Sequence, residues 1–492
     1  MGRIPRREFL ATSAALLAGG CGKRPAASLE QPLPARPNFI VFLSDTLRAD
    51  HLSCYGYPLA TTPNIDATAA TSVVFEECYA AATWTLPATA SLLTGTHPLV
   101  HRTTVPEWTE EGIARGYQHQ VLPDAIKTTA ETLEAHGYTT AFFQANPNAT
   151  GNRGLARGCQ HRWSQVDANP DVHVDAVLDW IESEAVEPFY AYVHLIDPHE
   201  PYAASPDIFR DLHGKPMEDF LADLRQPERD QLKDYHRRDW DQLFVAGNRL
   251  DTEALRTFSA PSVAYLKKLY DSEIRRVDTA YGRLRDRIHA RGLDARTVTI
   301  LTSDHGEAFG EDQFFYHGSC LHDPQLHIPL LFSLPGQREE RRVPFTVGQC
   351  DIHPTLLALA GINNSAPGSG NSLLRRSGEV IHQNHRSVLS SLDLHRSDPE
   401  TWQFRLTRGA FRASGAGPPG SVLLAERGNE PEARQFDLLN VQTLPEGDAR
   451  KAAEDFHLER HFLGECANKI PLPGWRQAED FNPEAFRAMG YL

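Results

Sequence analysis

The sequence lacks the features that mark several classes of protein. No apolar run reaches the roughly 20 residues that a membrane-spanning helix needs. Lysine and arginine number 49 against 64 acidic residues, and the resulting charge of −15 argues against a nucleic-acid-binding protein, which needs a basic surface. Glycine and proline, at 34 each, form no repeat. The 492 residues, 41% of them hydrophobic, instead suit one large globular domain plus a smaller one.

Cysteine is also scarce, and its spacing argues against a structural zinc site. The chain has seven cysteines, and no two of them form a Cys-x-x-Cys pair. We expect most of them to be buried free thiols, although an oxidising compartment leaves disulfide pairing open.

The N-terminal segment predicts export. Arg6 and Arg7 precede a short, weakly apolar stretch at 9–20, which is typical of a bacterial twin-arginine signal. Small residues before Cys21 resemble a lipobox, in which this cysteine is lipidated. The alternative is an ordinary basic leader that is cut elsewhere. We therefore expect an exported protein that is periplasmic or anchored to the membrane outside the cytoplasm.

The body of the chain alternates short apolar runs with amphipathic stretches. This alternation predicts a mostly parallel sheet covered by helices on both faces. The predicted strands are 39–43, 138–143, 189–196, 298–301 and 328–333, and the predicted helices are 129–136, 172–183 and 266–290.

Composition also divides the chain into segments. We assign 1–21 to the signal, 22–36 to a linker, 37–365 to the large domain and 366–492 to a smaller region. Within the large domain, residues 203–260 predict a helical insertion.

Polar side chains follow three of the predicted strands. Asp45 follows the first strand, Asp197 and His199 follow the third, and Asp304 and His305 follow the fourth. Ligands bind beyond the carboxyl ends of parallel strands, so these side chains are expected to converge. Carboxylates brought together need a cation between them, and carboxylate oxygens with an imidazole suit a divalent metal. One acid–histidine pair alone is often structural, but three polar groups at successive strand ends predict a metal site.

The segment 84–95 supplies a candidate nucleophile. A helix is predicted to begin near Leu86 or Pro87 and to end at Gly95, which leaves Thr85 at its N-terminus. The simplest interpretation makes Thr85 a helix cap. The functional interpretation uses the same geometry, because a helix N-terminus holds phosphate or sulfate and a metal activates a hydroxyl there.

Several motifs follow one another in order along the chain. They include HLIDPHEPY at 194–202, SDHGEAFGE at 303–311 and DIHPTLLALAGI at 351–362. Together with PNFIVFLSDTLRADHLSCYGY at 37–57 they resemble the sulfatase family of the alkaline phosphatase superfamily. The resemblance implies an α/β fold: an alkaline-phosphatase-like sandwich with a mostly parallel central sheet, helices on both faces and a smaller C-terminal α+β region.

The departures from the family pattern concern the nucleophile. Where a typical sulfatase has Cys-x-Pro-x-Arg, with the cysteine oxidised to formylglycine, this chain has Thr85, Pro87 and Thr89. Formylglycine cannot form at a threonine. The resemblance is therefore nearer to the threonine-nucleophile phosphoesterases and phosphotransferases of the superfamily than to true sulfatases.

The implied cofactor is one divalent metal ion. The resemblance gives its ligands as Asp45, Thr85, Asp304 and His305, with Thr46 in place of a further aspartate. An imidazole ligand favours zinc or manganese, with calcium and magnesium as alternatives.

The resemblance also implies roles for the other candidate residues. Thr85 would attack phosphorus and His199 would protonate the leaving group. His317 occupies the position of an anion-binding lysine, and Asn146 and Asp197 are expected to bind substrate. Asp197, His199 and His317 leave a second metal site open, but we favour one ion.

We therefore expect an exported, metal-dependent hydrolase of phosphate or phosphonate esters. Its substrate would be a small-molecule, glycan or lipid ester, and no nucleic acid. The alternatives are a sulfatase and a transferase that moves a phosphoryl-linked group onto an envelope glycan or lipid. The sequence leaves the oligomeric state open.

Overall fold

The computed structural model describes most of the large domain and part of the remainder. The described residues are 32–104, 118–166, 168–237, 258–311, 314–363, 370–381, 388–392, 403–408, 411–416, 421–426, 434–437 and 475–477. The predicted signal with Arg6, Arg7 and Cys21 lies outside them, as does most of the linker. Among the described residues, no helix is both long enough and apolar enough to cross a membrane.

Strands and helices alternate along the large domain as predicted. The strands are β1 Asn38–Ser44, β2 Val73–Tyr79, β3 Gln118–Gln120, β4 Thr139–Gln144, β5 His161–Ser164, β6 Phe189–Leu195, β7 Thr297–Thr302, β8 Ala308–Phe309, β9 Phe315–Tyr316, β10 His327–Ser333 and β11 Arg341–Gly348. The helices are α1 Pro63–Ala69, α2 Thr85–Thr94, α3 Pro98–His101, α4 Thr129–Ala135, α5 Pro170–Ser183, α6 Pro206–His213, α7 Met217–Asp223, α8 Gln226–Arg237, α9 Ala260–Ala290, α10 Asp323–Leu326 and α11 Ile352–Leu359.

Eight strands form the central sheet, in the order β11-β2-β10-β7-β1-β6-β4-β5. The pairs β7–β1, β1–β6, β6–β4 and β4–β5 are parallel, and so is β11–β2. Strand β10 runs antiparallel to both of its neighbours. The expectation of a mostly parallel sheet is therefore confirmed.

Both faces of the sheet are covered, as the side chains of β1 show. Phe39, Val41 and Leu43 pack with one hydrophobic cluster, which includes residues of α2, α4 and α11. Ile40 and Phe42 pack with the other, which includes residues of α1, α5 and α9. A strand buried on both faces needs an uninterrupted apolar run, and this is the pattern that made β1 predictable.

A second sheet occupies the described part of the C-terminal region. Its five antiparallel strands are β12 Val388–Leu392, β13 Gln403–Arg408, β14 Phe411–Ala416, β15 Ser421–Glu426 and β16 Arg434–Asp437. The Ser391 N–H donates to the Ala81 carbonyl at 2.9 Å, which joins this sheet to the segment before α2. A further strand, β17 Trp475–Gln477, pairs with β3. No disulfide bond joins any two of the five cysteines among the described residues, 54, 78, 159, 320 and 350.

Candidate active site

The site lies at the carboxyl ends of four adjacent strands. Asp45 directly follows β1, Asn146 lies two residues beyond β4, and Asp304 lies two residues beyond β7. His194 is the penultimate residue of β6. Because β7, β1, β6 and β4 are neighbours in the sheet, four segments remote in sequence bring polar side chains to one place.

Asp45, Asp304 and His305 form what we call the aspartate cluster. Their ligand atoms lie within 4.8 Å of one another, and all three residues are buried. The His305 Nε2 is 3.7 Å from Asp45 Oδ1 and 3.4 Å from Asp304 Oδ2. The structure thus brings together three of the four side chains expected to hold a metal ion.

The hydrogen bonds of this cluster leave its inward-facing atoms open. His305 Nδ1 lies 3.0 Å from the Gly306 carbonyl, to which it donates, so the lone pair is on Nε2. Asp304 Oδ1 accepts from the backbone N–H groups of Thr46 and His305. Asp45 Oδ1 and Asp304 Oδ2 are buried without a hydrogen-bond partner among the described residues. Unpaired buried carboxylate oxygens beside an imidazole lone pair fit a divalent metal ion.

Thr85, the fourth expected ligand, reaches the same place from α2. Its Oγ1 is 3.4 Å from His305 Nε2 and 3.2 Å from Asn146 Nδ2. The interpretation of Thr85 as a helix cap is wrong, because the helix begins at Thr85 itself and Trp84 is the capping residue. The hydroxyl makes no capping bond, so it is free to face the aspartate cluster.

The backbone beside Asp45 is strained. Thr46 has a φ of 52°, a left-handed conformation that a β-branched residue rarely adopts. Its N–H donates to Asp304 Oδ1 at 3.2 Å. The Tyr270 hydroxyl donates to the Thr46 carbonyl at 2.7 Å. These contacts keep a conformation that costs about 1–3 kcal/mol, and such strain concentrates at functional sites.

Asn146 lies between the metal-binding and nucleophile candidates. Its Nδ2 is 2.5 Å from Asp45 Oδ2 and 3.2 Å from Thr85 Oγ1. Its Oδ1 accepts from the Asn148 N–H, which fixes the orientation of the amide. Asn146 therefore positions the carboxylate and the hydroxyl relative to each other, and its expected contact with substrate stays a prediction.

His194 is a site residue that the sequence analysis missed. Its Nε2 is 3.0 Å from Asp45 Oδ2 and its Nδ1 is 3.0 Å from the Tyr192 hydroxyl. His194 and Asn146 both contact Asp45 Oδ2, which leaves Asp45 Oδ1 available to a metal ion. His194 could have been found from the sequence, because it interrupts the apolar run of a buried strand, where an imidazole needs polar partners.

His199, Glu200, Glu307 and His317 form a second group, the histidine–glutamate cluster. Glu200 Oε2 is 3.6 Å from His199 Nδ1 and 3.8 Å from His317 Nδ1, and Glu307 Oε1 is 3.3 Å from His317 Nδ1. The ring centroids of His305 and His317 are 4.7 Å apart. This cluster is therefore adjacent to the aspartate cluster. Neither glutamate was among the predicted site residues.

Asp197 does not join either cluster. Its Oδ1 is 3.6 Å from the Arg276 guanidinium of α9, and Glu273 of the same helix lies beside it. Only its backbone carbonyl contacts the strand end, by accepting from the Ser44 hydroxyl at 2.7 Å. The structure therefore places the Asp197 carboxylate against α9, so a second metal site made with this residue is not supported.

Comparison with known proteins agrees with this geometry. The family model named Sulfatase matches residues 37–362, about two thirds of the chain and the whole segment that carries both clusters. The chain belongs to the sulfatase family. The members of this family are hydrolases that depend on a metal ion.

Individual relatives of this sulfatase-family chain are distant. It is 25% identical over 366 residues to the ulvan-active sulfatase of Formosa agariphila, covering 68% of this chain and 63% of the relative. It is 25% identical over 294 residues to human arylsulfatase K, covering 53% of each chain. The match thus spans about half to two thirds of these relatives.

A solved structure shows the same fold. The phosphonate monoester hydrolase of Agrobacterium radiobacter superposes with a TM-score of 0.64 at 18% identity. The superposition covers 87% of this chain and 95% of that one. The predicted alkaline-phosphatase-like architecture is thereby confirmed.

The two aspartates of this sulfatase-family site differ in their affinity for protons. Burial and the neighbouring charge of Asp45 raise the pKa of Asp304 to about 7. Burial acts on Asp45 in the same direction, but the His194 hydrogen bond and nearby histidine charges hold its pKa well below the usual range. Burial also lowers the pKa of His305, which keeps its imidazole neutral. Near neutral pH the metal-free cluster therefore exchanges one proton, mainly at Asp304.

Metal binding to the aspartate cluster should therefore depend on pH. Below pH 7 an incoming ion must displace the Asp304 proton, so we expect its affinity to fall about tenfold per pH unit. Well above pH 7 the Asp304 carboxylate is already ionised, so metal affinity no longer rises with pH on its account. Calorimetric titration with manganese in two buffers of different ionisation enthalpy measures the proton released. Binding without proton release at pH 6 would contradict the assignment.

Proposed function

We propose that this protein hydrolyses phosphate or phosphonate esters, with a divalent metal ion as cofactor and Thr85 as nucleophile. The observation that carries the proposal is the position of the Thr85 hydroxyl. It is buried at the first residue of α2, and its Oγ1 is 3.4 Å from His305 Nε2. A threonine there rules out the formylglycine chemistry of sulfate-ester hydrolysis and leaves a hydroxyl as the attacking group.

The cofactor would be held by Asp45, Asp304 and His305 together with the Thr85 hydroxyl. The unpaired oxygens Asp45 Oδ1 and Asp304 Oδ2 support this assignment. When bound, a divalent cation polarises the non-bridging oxygen of the ester and lowers the pKa of a coordinated hydroxyl. The imidazole ligand favours zinc or manganese over calcium or magnesium.

The N-terminus of α2 contributes to binding the anion. This helix has ten residues, and its first backbone N–H groups have no partner within the helix. Such N–H groups and the positive end of the helix dipole favour a phosphoryl group beside Thr85. Asn146 Nδ2, 3.2 Å from Thr85 Oγ1, keeps the hydroxyl in one orientation.

The reaction proceeds by double displacement in this proposal. Thr85 Oγ1 gives up its proton and forms a bond to phosphorus, while the bond from phosphorus to the leaving oxygen breaks and that oxygen takes up a proton. Water then attacks phosphorus, the bond to Oγ1 breaks, and the Thr85 hydroxyl is restored. An acceptor hydroxyl in place of water would give the transferase alternative.

The leaving oxygen would face the histidine–glutamate cluster. Burial lowers the pKa of His199, but the charges of Glu200, Asp45 and Glu307 outweigh it and raise the pKa to about 9. Positive charge on this side of the site, such as a proton on His199, would neutralise the departing oxygen. The neighbouring His317, whose pKa burial lowers to about 4, is neutral at pH 7 and does not supply the fixed charge of a lysine.

Substrate preference tests the proposal directly. Metal-free protein is reloaded with zinc, manganese, magnesium or calcium and assayed on an aryl phosphate monoester, a phosphodiester, a phosphonate monoester and an aryl sulfate. We expect kcat/KM for the preferred phosphorus ester to exceed that for the sulfate by at least about a hundredfold, roughly 2.7 kcal/mol of transition-state stabilisation. Faster turnover of the sulfate would favour the sulfatase alternative. Product formed only when an alcohol is added would favour the transferase.

A further inference from the structure

We propose that Gln325 is a positioning residue for His317. Its side-chain amide holds the loop at 316–320 in the shape that keeps His317 in the active site. The inference deepens the proposed function and rests on it for the role of His317 beside the substrate. Gln325 belongs to α10, Asp323–Leu326, and it was not among the predicted site residues.

The amide of Gln325 directs its acceptor and its donors to this one loop. Oε1 accepts from the backbone N–H groups of Ser319 and Cys320, each at 3.2 Å. Nε2 donates to the Tyr316 carbonyl at 2.8 Å and to the Ser319 hydroxyl at 2.7 Å. Gln325 is fully buried. A buried amide with four such contacts has one orientation, so it fixes the backbone on both sides of His317.

The loop needs this support because its backbone is strained directly before His317. Tyr316 has a φ of 61°, a left-handed conformation that a bulky aromatic residue rarely adopts. Such a conformation costs about 1–3 kcal/mol and persists only where the surroundings enforce it. Gln325 Nε2 donates to the carbonyl of this same tyrosine. Without that bond we expect Tyr316 to relax and to turn the peptide unit that leads into His317.

Other contacts anchor the loop at different points. The Gly318 N–H donates to the Thr83 carbonyl at 2.7 Å. Arg405 of β13 donates to the Leu321 carbonyl. Both contacts fix the chain after the histidine, whereas the Gln325 amide also reaches the residue before it. The place of the histidine along the loop therefore depends on the glutamine side chain.

The position of His317 matters because its neighbours are close on several sides. Its ring centroid is 4.7 Å from that of His199 and 4.7 Å from that of His305. Its Nδ1 is 3.3 Å from Glu307 Oε1. In an active site a misplacement of about 1 Å costs up to about a hundredfold in rate. Loss of the Gln325 amide should therefore slow turnover without removing a group that contacts substrate.

A double-mutant cycle with His317 tests the inference. Gln325→Met keeps the size of the side chain and removes every hydrogen bond of the amide, while the backbone carbonyl still accepts from the Gly306 N–H. In the metal-loaded enzyme, on the ester it prefers, we expect kcat/KM to fall about thirtyfold. In His317→Ala the same change should cost less than about threefold, because no imidazole is left to misplace. A merely structural role would give equal losses in both backgrounds.

Two further variants control for stability. Asn38→Leu is the matched control, because this buried amide at the start of β1 donates to Glu187 and accepts from the Phe189 N–H, at the opposite edge of the sheet. It should lower the unfolding temperature and leave kcat/KM unchanged. Ser319→Ala removes one contact of the Gln325 amide at a half-buried position and serves if Gln325→Met does not fold. We expect it to lower kcat/KM about threefold in the wild-type background and not in His317→Ala.

The outcomes separate this inference from the proposed function. Equal losses in both backgrounds, or unchanged kcat/KM in Gln325→Met, would overturn the positioning role and leave the Thr85 proposal standing. Full kcat/KM in His317→Ala would also overturn it. Unimpaired turnover in Thr85→Ala, or faster turnover of the sulfate, would instead reject the proposed function, while the cycle on the preferred ester would still report on Gln325.

Discussion

Thr85→Ala should abolish turnover while the fold and most of the metal binding remain. Removing the hydroxyl removes the attacking group of the covalent step. We expect kcat to fall at least about a thousandfold, roughly 4 kcal/mol of transition-state stabilisation. The stability cost should be only about 1–3 kcal/mol, because one buried hydroxyl and one hydrogen bond to Asn146 are lost. Steady-state kinetics and thermal unfolding measure both quantities.

Two variants and one direct measurement accompany this prediction. Thr85→Ser keeps the hydroxyl and should retain part of the activity. Thr94→Ala is the matched control at the other end of α2, where the Thr94 hydroxyl donates to the Ala90 carbonyl, and it should retain full turnover. Mass spectrometry of acid-quenched enzyme should find phosphate on a peptide that contains Thr85. Full activity in Thr85→Ala would leave direct attack by water as the mechanism.

Asp304→Asn should lose metal and activity together. The change keeps the shape of the side chain but replaces a carboxylate ligand by a neutral amide. Even groups that only orient ligands change metal affinity by about 10–100-fold, so loss of the ligand itself should cost at least about a hundredfold. Titration with a competing chelator measures the affinity, and turnover should follow the bound metal.

Asp278→Asn distinguishes this effect from a loss of stability. Asp278 is a buried aspartate of α9 that accepts the backbone N–H groups of Asn64 and Ile65. Its substitution should lower the unfolding temperature but leave metal affinity unchanged. Full metal affinity in Asp304→Asn would place the ion elsewhere.

The central strands could be predicted from the sequence because burial on both faces imposes a local pattern. β1, β6 and β7 are short apolar runs, which are distinctive in themselves. In the central sheet the analysis missed β5, where exposed and half-buried residues alternate, β11, which begins with two arginines, and β2, whose apolar run is interrupted by Glu76 and Glu77. β5 and β11 are edge strands, where one side faces solvent and the apolar pattern weakens, whereas β2 lies inside the sheet.

The sequence by itself determined which chemical groups stand at the strand ends, and so it placed Asp45, Asp304 and His305 in one prediction, to which the family resemblance added Thr85. It could do so because parallel strands direct their carboxyl ends to one edge of the sheet. Only the tertiary structure decided which other side chains join them. His194 points to Asp45, Glu200 and Glu307 face His317, and Asp197 turns toward α9. The contacts of His194 with Asp45 and of Glu200 with His317 join segments more than 100 residues apart, and Asp197 depends on the packing of α9. Glu307 and His317 are ten residues apart and meet through the pairing of β8 with β9. No local apolar pattern in the chain encodes these contacts.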